Sequence, residues 1–557
     1  MNRLHSAAFA VALALVLGTS TLLPAAPVLA NALGRDRDPL VLTGASLASL
    51  VGTAPSRIVA FRWDGQWTQN PVQVDERTLV DFGAIYDTTA TGFTVLAYAD
   101  TSTFTGADPD PFFDADDELV LRARDLGDAP ASAGEPPGTL PGSGLQLTVT
   151  NPLDGSTGYG YLFVTDGSLD PAVGLPPIGY VFTLLSGNCK ASYDTRSGPN
   201  PEDSRVTTTA YSVHFSDRWI RNEIGVTAGG ATGVDVLDRH KSLFGPGNCA
   251  RSENTFSAGE GAFMMNRSGP VRALRGYLGC NSGPTSWRMH AFYEAREDCS
   301  TVLRVHPVPG IMDYFDYSPA AAGMTYRNKL NLAGVTVDGS PDPGVVTGPL
   351  AWEMVSGGQG TLAMTSILVT GIQGLPLTSY YSDNVLPTVT QCTGDPWEYG
   401  ASGLRVNGEI PNTDPTVGPA QVLEAWRIIV YAAPGQDTAF AAARQAEAAH
   451  PLLTTAQPYV PTVAVTDLEP REASLMLSPN PATGRARILL TLPRAGVTRL
   501  SVHDAAGRCV AVLAEARLNA GQHAFDWDAG RVPPGLYLVR VSRDGRTQAV
   551  CRFARLR

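Results

Sequence analysis

Five polar side chains near the middle of the chain have types that could carry out chemistry on a sugar: His240, Asn281, Arg288, His290 and Tyr293. The last four lie within thirteen residues of sequence. A lyase that acts on uronic acids needs a group that neutralises the sugar carboxylate, a base, and an acid for the leaving oxygen. Arginine, asparagine, histidine and tyrosine can supply these roles. We therefore predict that the five residues converge on one cleft as catalytic groups.

The same segment permits two other interpretations. A glycoside hydrolase would use a pair of carboxylates, and four candidates are present: Asp217, Asp238, Glu294 and Asp298. In the second interpretation the histidines are half-buried strand residues, and neighbouring arginines and acids form structural ion pairs. His290 and Tyr293 are three residues apart, and such residues face opposite sides of a regular strand. The lyase cleft therefore requires a bulge, a bend or a loop between them.

A non-catalytic surface protein, either glycan-binding or structural, is the alternative function. Six large aromatic residues could stack on sugars: Trp63, Trp67, Trp219, Trp287, Tyr314 and Tyr317. Most large aromatic side chains, however, belong to a protein's core. Convergence of the histidines on one pocket would favour the enzyme, whereas aromatic side chains along an open face would favour binding.

An acidic segment between residues 108 and 118 has the residue types of a cation site. Its six carboxylates are Asp108, Asp110, Asp114, Asp116, Asp117 and Glu118. Because Ca²⁺ takes about six to eight oxygen ligands in flexible geometry, we predict that this segment binds Ca²⁺. The segment lacks the turn glycine of an EF-hand loop. The alternative interpretation is a solvated acidic loop before a strand.

Length and composition place these residues in a turn-rich protein of several domains. A chain of 557 residues is expected to form about two to four domains. Its 57 glycines, 42 prolines and 17% charged residues are typical of β-rich secreted proteins. The formal net charge is −12 and the sequence has no basic stripe, so we do not expect nucleic-acid binding.

The N-terminus has the pattern of a secretory signal peptide over residues 1–30. Arg3 provides the charged start, Ala7 to Leu23 is apolar, and small residues precede an expected cleavage after Ala30. No later stretch reaches the ~18 apolar residues of a membrane span, so we predict a mature protein outside the cytoplasm. Seven cysteines follow. Disulfides are expected within the segment from Cys189 to Cys392, with their connectivity left open, and at least one thiol must be free or pair between chains.

Strand patterns indicate a mainly β fold class with three regions that would position these residues. We predict an N-terminal β module at 40–130, a main antiparallel β domain of sandwich or supersandwich type at 145–452, a linker at 453–472 and an Ig-like β-sandwich at 473–557. The strongest helix pattern, Asp437–His450, begins at a capping aspartate, is rich in alanine and ends before a proline. The candidate catalytic residues therefore lie in the main domain.

Motifs in the last region resemble a known family. They are SPNPATG (478–484), VHDAAGR (502–508), WDAG (527–530), VPPGLYLVRV (532–541) and the basic end RFARLR (552–557). Together they are similar to the C-terminal sorting domain of type IX secretion cargo. The resemblance covers about residues 473–557 and implies an Ig-like sandwich, akin to that of flagellar hook-capping proteins. It also implies export across an outer membrane to the surface or the extracellular space, with the secretion machinery or a surface anchor as partner.

The segment SGPVRALRGY (268–277) loosely resembles strands of large β-supersandwich lyases and mutarotase-like proteins. Together with the candidate catalytic groups, this resemblance favours a body that processes polysaccharide by lyase-type chemistry. Otherwise residues 40–460 resemble uncharacterised secreted bacterial β-proteins, and that resemblance implies no activity.

Overall fold

The computed structural model describes residues 33–86, 92–130, 133–193, 198–245, 251–279, 285–304, 307–385, 397–413, 421–461, 473–543 and 546–556. The chain divides into two compact units, Met1–Pro461 and Thr462–Arg557, which we call the body and the tail. Antiparallel strands dominate both units, so the predicted mainly β fold class is confirmed. The predicted signal peptide lies outside the described residues.

The strands of the body are numbered in chain order. They are β1 (Pro39–Thr43), β2 (Ile58–Trp63), β3 (Trp67–Asn70), β4 (Gln73–Asp75), β5 (Arg77–Asp81), β6 (Thr94–Tyr98), β7 (Glu118–Arg122), β8 (Leu145–Thr150), β9 (Thr157–Val164), β10 (Ile178–Val181), β11 (Ser204–Thr208), β12 (Tyr211–Asp217), β13 (Ile220–Val226), β14 (Leu237–Phe244), β15 (Ala262–Ser268), β16 (Ala273–Leu278), β17 (Trp287–Phe292), β18 (Arg296–Val302), β19 (Val308–Tyr317), β20 (Thr325–Asn328), β21 (Asn331–Thr336), β22 (Trp352–Gly357), β23 (Gly360–Thr370), β24 (Leu377–Asn384), β25 (Glu398–Ile410), β26 (Leu423–Ala432) and β27 (Leu453–Pro458).

Helices are few in the described part of the body: α1 (Gly83–Tyr86), α2 (Glu253–Ala258) and α3 (Thr438–Ala449). The last one confirms the helix predicted at Asp437–His450. Asp437 caps it, since its carboxylate accepts a hydrogen bond from the Phe440 amide at 3.1 Å. None of the helices among the described residues is long and apolar enough to span a membrane.

The first core of the body joins strands that are far apart in sequence. Its sheets have the strand orders β27-β8-β9-β2-β3 and β1-β7-β4. On β8, Leu145, Leu147 and Val149 alternate with half-buried polar residues, so one face of the strand packs into a cluster with Leu40 and Leu121. The predicted boundary at 130–145 therefore falls within a packed unit, because β2 pairs with β9.

The predicted linker at 453–472 also starts inside the body. Its first residues form β27, which pairs with β8 from Leu453 opposite Thr150 to Pro458 opposite Leu145. Such a pairing connects segments about three hundred residues apart in sequence, so no local pattern could have indicated it.

The second core of the body positions the candidate residues. A sheet with the order β15-β16-β17-β18-β26-β23-β22-β20-β21 packs against the sheets β10-β11-β12-β13 and β14-β19-β25-β24. Fully buried side chains from all three sheets meet there, among them Phe215, Phe292, Phe315 and Met364. The candidate residues on β14, β17 and β18 therefore lie on layers that face one another.

The tail is a two-sheet sandwich. Its strands are β28 (Ser474–Ser478), β29 (Arg485–Leu492), β30 (Gly496–Asp504), β31 (Cys509–Leu518), β32 (Gly521–Asp528), β33 (Gly535–Arg543) and β34 (Arg546–Arg555). They form sheets with the orders β28-β29-β32 and β31-β30-β33-β34. Alternate residues such as Ile488, Leu490, Val502 and Val539 are completely buried between the sheets, as expected for the predicted Ig-like sandwich.

The cysteines in the described parts of the chain, Cys189, Cys299, Cys509 and Cys551, are free. The other three, at 249, 280 and 392, lie outside the described residues. The disulfides expected between Cys189 and Cys392 therefore stay a prediction.

Candidate functional site

Two of the predicted catalytic residues meet in the interior around Asp313 of β19. His240 Nε2 lies 2.7 Å from one carboxylate oxygen of Asp313, and Arg427 donates to the same oxygen at 3.1 Å. Arg288 and Ser242 donate to the other oxygen. Burial lowers the pKa of His240 to about 4. Burial would raise the pKa of Asp313, but the hydrogen-bonded His240 and the charge of Arg288 hold it well below its usual range.

His290 belongs to a separate buried cluster around Glu297. Its Nδ1 lies 2.9 Å from the Glu297 carboxylate and its Nε2 lies 3.0 Å from the Tyr277 hydroxyl. Burial lowers the pKa of His290 to about 3. The Cys299 thiol also lies close enough for a three-ligand metal site. However, the guanidinium of Arg221 already forms an ion pair with Glu297, so a cation occupies this position.

Tyr293 lies on the opposite side of the sheet from His290. On β17, Arg288, His290 and Phe292 are buried on one face, whereas Tyr293 packs with Val120, Val271 and Ala291. Residues three apart on a regular strand face opposite sides of the sheet, as the sequence predicted for this pair. Asn281 lies outside the described residues. The single cleft predicted from the sequence is therefore not formed by the four described residues.

The interior beside the Asp313 cluster has no room for a sugar. The cavity there has a volume of about 30 Å³ and is lined by Trp219, Phe244 and Phe256 as well as by Arg288 and Asp313. Such a volume holds about one or two water molecules. We conclude that the buried arginines form structural ion pairs and that the neutral histidines hydrogen-bond to the same carboxylates, which connects the two layers.

A larger pocket opens at the surface where three segments meet. Its volume is about 400 Å³, and its charged lining is Asp36, Arg37, Asp38, Arg122, Arg124 and Glu294. We call it the arginine pocket. The first three residues precede β1, the next two lie at the end of β7 and just beyond it, and Glu294 lies in the turn between β17 and β18. Tyr293 and Val271 supply apolar surface in the same pocket.

Contacts hold most of these charged groups in place. Arg124 forms an ion pair with Glu294, whose carboxylate also accepts a hydrogen bond from the Thr209 hydroxyl at 2.8 Å. Arg122 contacts Asp125 at 2.5 Å. Arg37 is exposed and has no acidic partner among the described residues, and its guanidinium lies over the Phe440 ring at 5.6 Å. A fixed set of planar cations and carboxylates can bind sugar hydroxyl groups or a carboxylate.

The four carboxylates of the hydrolase interpretation do not form a pair at this pocket. Glu294 lines it, and Asp298 forms an ion pair with Arg296 at 2.6 Å. Asp217 instead accepts backbone hydrogen bonds from Asn200 and Arg218. Asp238 is exposed on β14. The described contacts therefore give no support to an acid and base acting from these positions.

The aromatic residues proposed as stacking surfaces are largely internal. Trp219, Tyr314 and Tyr317 are at most 2% exposed. Trp63 and Trp67 are half-buried and meet edge to face at 5.1 Å, and the Trp67 indole donates to the Gly134 carbonyl at 2.7 Å. They form part of a core cluster rather than an open platform.

Part of the acidic segment gathers at one point. Oxygen atoms of Asp114, Asp116 and Asp117 lie within 4.8 Å of one another. A hydrogen bond between the first two lowers the pKa of Asp114 and contributes most to raising that of Asp116. Burial raises the pKa of Asp117 to about 6. Glu76, which the sequence analysis overlooked, has a pKa raised by burial and by the nearby Asp108, Asp110 and Asp114 charges.

Glu118 does not join that group. Its carboxylate accepts hydrogen bonds from Arg272 at 2.6 Å and from the Tyr98 hydroxyl at 2.7 Å. Burial alone would raise the pKa of Glu118, but the charge of Arg272 brings it below the ordinary value. We therefore remove Glu118 from the proposed calcium ligands.

Asp108 and Asp110 contact each other, since the Asp110 amide donates to the Asp108 carboxylate at 3.2 Å.

The tail matches a known family. The model of the secretion system C-terminal sorting domain matches residues 477–552. The tail contains a sorting domain. The resemblance predicted from the sequence motifs is thereby confirmed, and the protein is exported to the cell surface or the extracellular space. The sorting domain implies the secretion machinery as a partner.

Comparisons of the whole chain add little to this assignment. No curated protein matches it. An alpha-mannosidase from Enterococcus faecalis V583 is similar over 89% of this chain, with 8% identity and a TM-score of 0.37. A putative aldose 1-epimerase from Escherichia coli K12 is similar over 46% of this chain and 100% of its own, with 11% identity and a TM-score of 0.23. This chain spans 55% of the mannosidase. At these TM-scores the likenesses carry no argument about activity.

The residues that line the arginine pocket were absent from the sequence-based candidates, except Tyr293 and Glu294. Arg122 and Arg124 stand two apart at the end of a hydrophobic strand, which is a weak local signal for a charged rim. Their proximity to Glu294 depends on contacts between segments about 170 residues apart, which no local pattern indicates.

Proposed function

We propose that this exported protein is a non-catalytic glycan-binding protein and that the arginine pocket of its body holds the sugar. The observation that carries the proposal is an open pocket lined by arginines and carboxylates, in contrast to the small cavity beside the buried histidines. The one beside the buried Asp313 cluster measures about 30 Å³, whereas the arginine pocket is open and measures about 400 Å³. Ligand pockets commonly measure roughly 300–1,000 Å³, so the arginine pocket has the size that a sugar residue requires.

The groups in the pocket suit recognition better than catalysis. Glu294 is fixed by Arg124 and Thr209, and Asp38 contacts Arg296 at 2.8 Å. A carboxylate that an arginine neutralises is a good hydrogen-bond acceptor but a poor general acid. Arg37, which has no acidic partner among the described residues, offers a fork of donors for a sugar carboxylate. A uronate-containing glycan therefore suits the pocket best.

Calorimetric titration of the purified protein with uronate-containing and neutral oligosaccharides tests this proposal. We expect the acidic oligosaccharides to bind, and Arg124→Ala to weaken binding by about tenfold, which corresponds to about 1.4 kcal/mol. Arg205→Ala is the matched control, because Arg205 also pairs with a glutamate, Glu223, at the surface of the body.

Two results would contradict the proposal. One is ultraviolet absorbance from unsaturated products in the mixture of protein and oligosaccharide, which would restore the lyase interpretation. The other is an equal loss of affinity in Arg124→Ala and Arg205→Ala, which would mean that the pocket is not the binding site.

A further inference from the structure

The charge of the chain is distributed very unequally along its length. Residues 473–557 contain thirteen arginines, no lysine and five acidic residues, which gives +8. The whole chain carries −12, so the remaining residues carry −20. The net charge of the whole chain conceals this separation. A small domain so rich in arginine is expected to attract anionic partners.

Several of these arginines lie together on the outer face of the sheet β31-β30-β33-β34. On β33 the residues Tyr537, Val539 and Val541 point into the core, so Leu536, Leu538 and Arg540 point outward. The pairing register then places Val550 beside Arg540 and Arg552 beside Leu538. Arg540 and Arg552 are exposed and have no acidic partner among the described residues of the tail.

Aliphatic side chains are interleaved with the arginines on this face. Four of them are about half exposed: Val497 at 53%, Val512 at 46%, Leu536 at 50% and Val550 at 52%. We call the set Val497, Arg499, Val512, Arg517, Leu536, Leu538, Arg540, Val550 and Arg552 the basic–aliphatic face. Glu515 lies opposite Arg499 on the same face and forms an ion pair with it at 3.3 Å, so Arg517, Arg540 and Arg552 are its arginines without an acidic partner among the described residues of the tail. Exposed aliphatic side chains are normal when scattered, but a contiguous patch on one sheet face marks an interaction surface.

We propose that the basic–aliphatic face of the tail docks on an anionic lipid surface. Arginine binds phosphate with two parallel hydrogen bonds, and short aliphatic side chains suit the boundary between headgroups and acyl chains. The face carries no Trp, Tyr or Phe that could stack on nucleic-acid bases. An exposed face that extends over four strands also matches an extended surface better than it matches a narrow ligand.

The experiment is co-sedimentation of the full chain with vesicles at low salt. One set of vesicles is phosphatidylcholine alone, and the other is phosphatidylcholine mixed with phosphatidylglycerol. We expect binding to the anionic vesicles only, although the protein's net charge is −12, and we expect added salt to weaken it. The double variant Arg540→Glu, Arg552→Glu should reduce binding by roughly tenfold or more.

The matched control makes the same change of charge on the other sheet of the tail. Arg485 and Arg487 are exposed on β29, and Arg485→Glu, Arg487→Glu should retain most of the binding. Circular dichroism of both double variants verifies that the tail remains folded. Equal losses in the two variants would show diffuse attraction and overturn the assignment to this face.

Two further outcomes would overturn the proposal itself. The first is the absence of binding to anionic vesicles. The second is concentration-dependent self-association of the chain, detected by analytical ultracentrifugation without vesicles and abolished by Arg540→Glu, Arg552→Glu. That result would assign the face to the acidic residues of another copy of the chain.

Discussion

Replacing Glu353 by glutamine should stabilise the body at pH 8 but not at pH 4. Glu353 lies on β22 with none of its surface exposed. Neither carboxylate oxygen has a hydrogen-bond partner among the described residues, and the nearest cation, Arg427, lies 3.8 Å away. Burial accordingly raises the pKa of Glu353 from its ordinary 4.5 to about 7.

The sign and size of the effect follow from the difference between the pKa of Glu353 in the folded body and its pKa in the unfolded chain. The unfolded chain loses the proton near pH 4.5 and the folded body loses it near pH 7, so rising pH favours the unfolded state across that interval. The protonated group's contribution to stability is complete below pH 4.5 and lost by about pH 7. At about 1.4 kcal/mol per pH unit, the loss amounts to roughly 3 kcal/mol. Glutamine cannot ionise, so the variant avoids this loss.

Urea unfolding of the body at pH 4 and pH 8 measures the effect. The difference in unfolding free energy between Glu353→Gln and wild type should be about 3 kcal/mol larger at pH 8 than at pH 4. Comparing the two pH values cancels any pH-independent free-energy cost of packing the glutamine amide. Glu409→Gln, an exposed change on β25, should show no such difference. If Glu353→Gln and Glu409→Gln behave alike, then Glu353 ionises as an ordinary carboxyl and our account of the core is wrong.

Removal of Ca²⁺ by a chelator should lower the melting temperature of the body, because a divalent ion would relieve repulsion within the 114–117 segment. An unchanged melting temperature, with a silent Asp114→Ala, Asp116→Ala variant, would mean that the loop is merely solvated. His290→Ala should lower the unfolding free energy by about 2 kcal/mol or more, because it leaves buried polar partners unpaired, while sugar binding persists. Loss of binding at unchanged stability would argue for a functional histidine. Deletion of residues 473–557 should leave a folded body inside the cell envelope, as surface labelling would show, and normal surface delivery would count against it.

Local patterns are sufficient for the parts of the fold that neighbouring residues determine. The hairpin of β2 and β3 forms around Gly65, whose φ of 93° suits glycine. The alternation on β8 and the capped helix α3 were likewise readable from neighbouring residues. The motifs of the tail were specific enough to predict a sorting domain, which the family model confirms.

The candidate site could not be predicted in the same way, because long-range pairing forms it. The residue types on β17 were chemically suitable, but strand alternation places His290 and Tyr293 on opposite faces. Asp313, which holds His240 and Arg288, comes from a different strand. Residue types in the sequence therefore indicate possible chemistry but do not distinguish a buried ion pair from an accessible site.

Hydrogen–deuterium exchange with a bound acidic oligosaccharide tests the glycan-binding account most directly. The account predicts slower exchange in peptides that cover 34–39, 119–125 and 290–298, which surround the arginine pocket, and recovery of the oligosaccharide unchanged. Exchange in β19, which carries the buried Asp313 cluster, should not change. Protection that avoids these three segments, or an oligosaccharide that is recovered cleaved, would contradict the claim that the body binds a sugar at its surface without converting it.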